Sequence, residues 1–278
     1  MKIAVIGLGL IGGSICKAIK IGTSHTVFGL DTNTDTLIKA KEQSAIDGAI
    51  DLADLKEADL VFVCLHPEAT IDFVTSHVKK FKKGSILCDV CGIKSRPVDM
   101  LDQLLREEDI NYLGTHPMAG REFSGFDYAD AGIFKGASFI ITPTELTPSE
   151  TLDTVKNLAN KMGFGKIVTT TADQHDRNIA FTSQLAHLVS NAYVKSPSLK
   201  NEQGFSAGSF QDLTRVARLN EDLWTSLFIM NKEPLLFELN GILNNLNDYK
   251  RALENEDVET MRKLLAEGRK LKEEADCL

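Results

Sequence analysis

A glycine-rich turn between a strand and a helix, close to the start of the chain, constrains the fold more than any other feature. The apolar run from Lys2 to Ile6 is rich in β-branched residues and predicts a buried strand, and a helical pattern begins a few residues later. Between them lies a G-x-G-x-x-G pattern made of Gly7, Leu8, Gly9, Leu10, Ile11 and Gly12. In such a unit the first glycine allows a tight turn, the second lets the backbone approach a pyrophosphate, and the third lets the helix pack closely. We therefore predict a phosphate-binding turn.

The second predicted strand ends in an acidic residue at a distance that suits a dinucleotide. This strand runs from His25 to Leu30, and Asp31 stands 19 residues after the last glycine of the turn, where about 20 is typical. A carboxylate at this position accepts hydrogen bonds from the ribose hydroxyls of NAD and repels the 2′-phosphate of NADP. The turn and Asp31 together predict a Rossmann unit that binds NAD. The alternative is a structural glycine turn followed by an unrelated strand-end acid.

Strand and helix signals alternate as far as residue 170, and then the strand signals stop. Further strands are predicted from apolar runs at 59–65, 85–90, 111–114, 137–142 and 166–169. Long helices are expected from Asp173 to Lys195, from Glu221 to Asn244, and from Asn247 to the end of the chain. The predicted fold class is α/β, with an N-terminal Rossmann-type NAD-binding domain over 1–170 and an all-helical C-terminal domain over 171–278. Because the helical part is small for its apolar faces, we expect it to form a homodimer as well as to bind substrate.

Charge and cysteine content exclude several classes of partner. The chain has 39 acidic and 31 basic residues, and its net charge of −8 would repel nucleic acid. No apolar run reaches the roughly 18 residues that a membrane span needs. The five cysteines are scattered, as in reduced cytoplasmic proteins, and the pair Cys88 and Cys91 lacks the second pair of a zinc site. We expect a cytoplasmic protein that acts on a small molecule and holds no metal.

Two basic side chains are candidates for the chemistry of a dehydrogenase. His116, at a strand end before a proline, could accept a hydroxyl proton as hydride leaves the same carbon; the alternative is a loop histidine that caps a carbonyl. Arg215 could clamp a substrate carboxylate, or it could pair with Asp212 in solvent. His187 shares a helix face with Ser183, and packing is its alternative role.

Four sequence blocks together resemble the prephenate dehydrogenase family. They are GLGLIGGS at 7–14, GTHPMAGRE at 114–122, HDRNIAFTSQLAH at 175–187 and GSFQDLTRVA at 208–217, in family order across nearly the whole chain. The first block is shared with many dinucleotide enzymes, whereas the HPMAG and DLTR segments together are fairly specific. The resemblance implies the NAD-dependent oxidative decarboxylation of prephenate to 4-hydroxyphenylpyruvate in tyrosine biosynthesis, or the corresponding use of arogenate.

The resemblance also implies roles for individual residues. His116 matches the family's catalytic histidine, Arg215 its carboxylate-binding arginine, and Asp31 its NAD-selecting acid. The predicted substrate-binding residues are Glu122, Ser183, His187, Gly208, Trp224 and Lys94. Independently of the resemblance, Asp127 follows the HPMAG segment closely enough to meet the ammonium group of arogenate, or it could be a solvated loop acid.

One position departs from the family pattern. In the turn from Asp89 to Lys94, Gly92 stands where many members have a serine that is thought to orient the histidine and the nicotinamide. We therefore expect water, Cys91 or another neighbour to replace the hydroxyl, or turnover to be weaker. The alternative functions are a non-catalytic dinucleotide sensor, which Gly92 favours, and a two-domain hydroxyacid dehydrogenase, which would share only the glycine turn.

Overall fold

The chain forms two compact units. The computed structural model describes residues 1–120 and 123–277, so the predicted site residue Glu122 lies outside the described residues. The first unit comprises Met1–Asn231, and the second begins at Lys232 and is helical. The residues with predicted chemistry lie in the first unit.

The first unit is built on a mostly parallel sheet. Its strands are β1 (Lys2–Ile6), β2 (Thr26–Leu30), β3 (Gly48–Ala49), β4 (Leu60–Val63), β5 (Ile86–Asp89), β6 (Asn111–Pro117), β7 (Ser138–Thr142) and β8 (Lys166–Thr169). Their order across the sheet is β3-β2-β1-β4-β5-β6-β7-β8, and of the pairings between these strands only β6 with β7 is antiparallel. Strands β2 and β3 lie on one side of β1, and β4 to β8 lie on the other, so the strand order reverses between β1 and β4. Sheets of this kind bind ligands at this switch point. The predicted Rossmann-type fold is confirmed, and the two-residue β3 was too short to leave a sequence pattern.

Strand β1 after Lys2 and strand β4 form continuous apolar runs within the sheet because both of its faces are covered. In β1, Ile3 and Val5 belong to one core cluster, while Ala4 and Ile6 belong to the cluster on the opposite face. Successive residues of a strand point to opposite faces, so a strand buried on both sides needs a continuous apolar run.

Helices cover the sheet and continue beyond it. Those of the first unit are α1 (Leu10–Gly22), α2 (Thr34–Glu42), α3 (Pro67–His77), α4 (Ser95–Glu107), α5 (Ser149–Lys161), α6 (Ala172–Ile179), α7 (Ala186–Tyr193), α8 (Gly208–Thr214) and α9 (Glu221–Met230). A π-helical segment, Ala180–Leu185, joins α6 to α7. The second unit contains α10 (Lys232–Glu254) and α11 (Val258–Asp276).

Two predicted helix boundaries were wrong. The sequence pattern predicts a break between two helices at Asn244 and Asn247, but both residues lie inside α10, because the weak helix propensity of asparagine does not by itself end a helix. The chain breaks instead at Asn231, whose side chain bonds to Gln184 and to the Asp176 carbonyl, and again between α10 and α11.

Candidate active site

The glycine turn has the geometry of a phosphate-binding loop. Gly7 has φ +84°, and a Cβ there would lie 2.7 Å from the carbonyl oxygen of Cys64. A Cβ at Gly12 would lie only 1.9 Å from the carbonyl oxygen of Gly7, so α1 packs against the turn as closely as glycine permits. At Gly9, which caps α1, a Cβ would meet nothing within 4 Å. The backbone is therefore open at Gly9, where the N–H groups of the helix N-terminus can receive an anion.

Asp31 is tied to this turn. One carboxylate oxygen accepts the backbone N–H of Leu8 at 2.7 Å, and the other accepts that of Asn33 at 2.8 Å. These bonds fix the carboxylate at the end of β2, and each oxygen keeps a second lone pair for a ribose hydroxyl. The turn and Asp31 therefore fit the pyrophosphate and ribose of a dinucleotide.

His116 lies near the carboxyl end of β6, and one of its two ring nitrogens is hydrogen-bonded. Its Nδ1 is 2.9 Å from Nε2 of His175, in α6. On the other side, a Cβ added to Gly92 would lie 3.9 Å from Nε2 of His116. Burial first, and then the nearby charges of His175 and Lys94, hold the pKa of His116 well below its usual value. The imidazole is therefore neutral at pH 7, with Nε2 directed towards the turn that follows β5.

Lys94 lies beneath His116 in a buried polar network. Its side chain is fully buried, and its ammonium group donates to the carboxylate of Asp89 and, at 2.6 Å, to the carbonyl oxygen of Thr115. The hydroxyl of Tyr112 donates to the other oxygen of Asp89 at 2.7 Å. These bonds join the ends of β5 and β6, so they hold the strand that carries His116.

A second group of predicted residues surrounds His187. Nδ1 of His187 lies 2.8 Å from the carbonyl oxygen of Ser183, and the ring stacks on Trp224 with centroids 4.0 Å apart. Burial lowers the pKa of His187, and the charge of Arg215, just after α8, adds to this effect against the opposing bond to Ser183. Arg215 is thus close enough to His187 for its charge to act on that ring. Gly208 begins α8, and a Cβ there would meet nothing within 4 Å.

Helix α9 borders both groups. Leu227 lies 3.6 Å from the position of a Cβ on Gly92, and Trp224 is one turn earlier on the same helix. The side chain of Gln184 donates to the carbonyl oxygen of Leu227 at 3.1 Å, which ties α9 to the π-helical segment. One helix therefore connects the surroundings of His116 with those of His187.

The structure places Asp127 in an exposed ion pair. Its carboxylate lies 2.8 Å from the ammonium group of Lys39 in α2. This position agrees with the alternative of a solvated loop acid. The prediction that Asp127 meets an arogenate ammonium gains no support from it.

Sequence reasoning missed two residues of this site. His175 and Asp176 are 1% and 4% exposed, and they form the contact to His116 from the first turns of α6. The only signal was their position at the start of the third sequence block. Nothing in their spacing relates them to a strand end 59 residues earlier.

Two family profiles match the chain and together span most of it. "Prephenate dehydrogenase, nucleotide-binding domain" matches residues 15–169, and "Prephenate dehydrogenase, dimerization domain" matches residues 171–267. The chain belongs to the prephenate dehydrogenase family. The resemblance carried by the four sequence blocks is thereby confirmed, and membership makes the protein an NAD-dependent oxidoreductase.

Individual relatives are similar to this chain over at least 93% of its length. The prephenate dehydrogenase of Bacillus subtilis is 28% identical over 93% of this chain and 72% of its own length. The crystal structure of prephenate dehydrogenase from A. aeolicus in complex with hydroxyphenyl propionate and NAD+ has a TM-score of 0.88 at 25% identity, covering 99% of this chain and 98% of that one. Synechocystis arogenate dehydrogenase has a TM-score of 0.83 at 26% identity, covering 99% and 100%.

Proposed function

We propose that this protein oxidises and decarboxylates prephenate with NAD+, giving 4-hydroxyphenylpyruvate, CO2 and NADH, and that it uses arogenate less efficiently. The observation that carries the proposal is the position of His116: a neutral imidazole at the carboxyl edge of the sheet that also carries the glycine turn. Family membership supports the same reaction.

The glycine turn and Asp31 hold the cofactor in this proposal. The N–H groups at the start of α1 bind the pyrophosphate, and the carboxylate of Asp31 accepts the ribose hydroxyls. Bound NAD+ supplies the acceptor for the hydride that leaves C4 of the substrate ring.

His116 moves the proton. As C4 becomes a carbonyl, its O–H bond breaks and Nε2 of His116 takes the proton. The bond between the ring and its carboxylate then breaks, CO2 leaves, and the electron pair passes through the ring to the C4 oxygen. That oxygen recovers the proton from His116, which yields a phenol and restores the base. Formation of the aromatic ring drives the sequence.

We assign substrate binding to the group around His187. The guanidinium group of Arg215 suits a carboxylate because its donors are arranged as a fork. The stacked rings of His187 and Trp224 offer an aromatic wall, and the charge of Arg215 acts on one of these rings, His187. Lys94 has a different role here: its buried ammonium group holds β5 and β6 together rather than reaching substrate.

Absorbance at 340 nm tests the reaction directly. Mixing the protein with NAD+ and prephenate should produce NADH, and His116→Asn should lower kcat by about 10²–10⁴ while KM stays within a few-fold. His77→Asn is a matched control, because this histidine bonds only to the Phe73 carbonyl of its own helix among the described hydrogen bonds. If the unmodified protein produces no NADH from either prephenate or arogenate, the dinucleotide-sensor alternative replaces this proposal.

We also propose that the second unit forms a homodimer. It leaves large apolar side chains exposed: Phe237 at 76%, Leu253 at 69%, Leu265 at 58% and Leu271 at 58%. Exposed apolar surface of this extent is typical of an interface, and the dimerization-domain match covers this unit as far as residue 267. Light scattering should give twice the chain mass of 30.6 kDa. A monomer at micromolar concentration would contradict the assignment.

A cytoplasmic location is our proposal from the cysteines. All five are free thiols, as is usual in reducing compartments. Separately, no helix within residues 1–120 and 123–277 is long and apolar enough to cross a membrane.

A further inference from the structure

Three side chains form a continuous hydrogen-bonded chain that ends at His116. Oδ1 of Asp176 lies 2.7 Å from Nδ1 of His175, and Nε2 of His175 lies 2.9 Å from Nδ1 of His116. His175 and Asp176 are almost completely buried. Each contact needs one donor and one acceptor, so the protonation of one end determines that of the other.

Asp176 supplies the fixed end of this chain. Besides the His175 bond, its carboxylate accepts the backbone N–H groups of Lys94 at 2.7 Å and Ser95 at 2.8 Å. Burial acts to raise the pKa of Asp176, but the bonds from His175 and Ser95 outweigh it and hold that pKa below its usual value. The carboxylate is therefore ionised and accepts every bond it makes, which requires a proton on Nδ1 of His175.

The state of His175 then determines that of His116. Burial lowers the pKa of His175 and outweighs the opposing effect of Asp176, so the ring is neutral at pH 7. A neutral ring with its proton on Nδ1 has a lone pair on Nε2. Nδ1 of His116 must therefore donate to it, and Nε2 of His116, on the side of Gly92, keeps its own lone pair.

We propose that His175 and Asp176 are positioning residues that fix His116 as its Nδ1–H tautomer. A histidine side chain in water favours the opposite tautomer, with the proton on Nε2, which could not accept a proton from substrate. The assignment rests on the proposed role of His116 as the base. When Nε2 accepts the substrate proton, the Nδ1–H bond to His175 remains and stabilises the imidazolium.

Position 175 allows a clean test. His175→Phe keeps an aromatic ring in the buried position but removes the acceptor, whereas His175→Gln keeps a carbonyl oxygen where Nε2 was. Asp176 is unsuitable for this purpose, because it also receives two backbone N–H groups at the start of α4. His77→Phe is the matched control, because Nδ1 of His77 likewise makes one hydrogen bond, which it donates to the Phe73 carbonyl at 2.8 Å.

The readout is the tautomer of His116 in the protein without ligands. Two-bond ¹⁵N–¹H correlation spectra distinguish Nδ1–H from Nε2–H rings, and the chain has only 6 histidines, so the His116→Asn spectrum identifies the signal. We expect Nδ1–H in the unmodified protein and in His175→Gln, and a shift to Nε2–H in His175→Phe. His77→Phe should leave the His116 signal unchanged.

Kinetics provide the second readout. His175→Phe should lower kcat by about 10–100-fold, the range found when a metal-binding histidine loses the partner that orients it, with KM within a few-fold. His175→Gln should recover most of that loss. A merely structural histidine would instead change Tm and KM without moving the tautomer.

The outcomes separate this inference from the proposed function. An Nε2–H ring at position 116 in the unmodified protein overturns the inference, even if the protein oxidises prephenate. So does a His175→Phe variant that keeps both the Nδ1–H tautomer and normal kcat. If His175→Phe does not fold, the unmodified protein and His175→Gln still decide the matter. Failure to oxidise prephenate contradicts the proposed function, while the tautomer is measured without substrate.

Discussion

Substitution of Gly92 tests how much a hydroxyl group beside His116 would change kcat/KM. A Cβ at this position would lie 3.6 Å from Leu227 and 3.9 Å from Nε2 of His116, which are ordinary van der Waals distances. The backbone there does not need the positive φ that only glycine tolerates. A serine therefore fits, and a rotamer that points its hydroxyl at His116 can bring the oxygen to within the hydrogen-bond range of about 2.6–3.2 Å from Nε2.

The expected gain follows from the value of one hydrogen bond. A net contribution of about 0.5–1.5 kcal/mol, at about 1.4 kcal/mol for each factor of ten, predicts that Gly92→Ser raises kcat/KM for prephenate by about 2- to 12-fold. Gly92→Ala is the matched control, since it adds the same Cβ without the hydroxyl and should stay within about twofold of the unmodified protein.

Initial rates at 340 nm with saturating NAD+ provide the assay, and Tm confirms that all three proteins are equally folded. An equal gain in the alanine and serine variants would show that bulk at position 92 acts, not the hydroxyl. A fall in the serine variant alone would show that the hydroxyl occupies Nε2 of His116 and competes with substrate. Either result refutes the reasoning.

Three further predictions concern the cofactor turn and the carboxylate site. Asp31→Ser should narrow the preference for NAD+ over NADP+, because the carboxylate no longer repels a 2′-phosphate; equal kcat/KM with both cofactors in the unmodified protein would contradict this. Gly12→Ala should lower Tm, because its Cβ would lie 1.9 Å from the Gly7 carbonyl oxygen and overpacking costs about 1–3 kcal/mol or more. Gly9→Ala, in contrast, should preserve Tm and raise KM for NAD+. Arg215→Ala should raise KM for prephenate at least about tenfold with kcat within a few-fold, and Arg215→Lys should recover little because an ammonium group lacks the fork; an unchanged KM would remove Arg215 from the site.

The cofactor turn could be predicted because its requirements are local. Gly7, Gly9 and Gly12 lie within six residues: Gly7 needs glycine for its own φ of +84°, and Gly12 needs it because of its contact with the Gly7 carbonyl. The further contact of Gly7 with the carbonyl of Cys64, just after β4, leaves no pattern in the turn itself. Continuous apolar runs predicted the strands for the same reason, since burial on both faces leaves a pattern in each strand by itself.

The support of His116 could not be predicted because it depends on long-range contacts. His175 reaches His116 across 59 residues of sequence, and Asp176 is held by the backbone of Lys94, 82 residues away. Helix ends were missed for a related reason: Asn231 ends its helix with bonds to residues 47 and 55 positions earlier. Spacing along the chain carries no record of such pairings.

The π-helical segment Ala180–Leu185 makes the helix through the site sensitive to insertion but tolerant of one deletion. His175 and His187 lie on either side of it. In a regular α-helix, at about 100° per residue, they would point about 120° apart; a π turn absorbs about one extra residue and reduces the difference to about 20°. Removing one residue from 180–185 would therefore give a regular helix with both histidines still on one face. Adding one residue would rotate His187 away from the helix face that carries His175 and would separate its ring from Trp224.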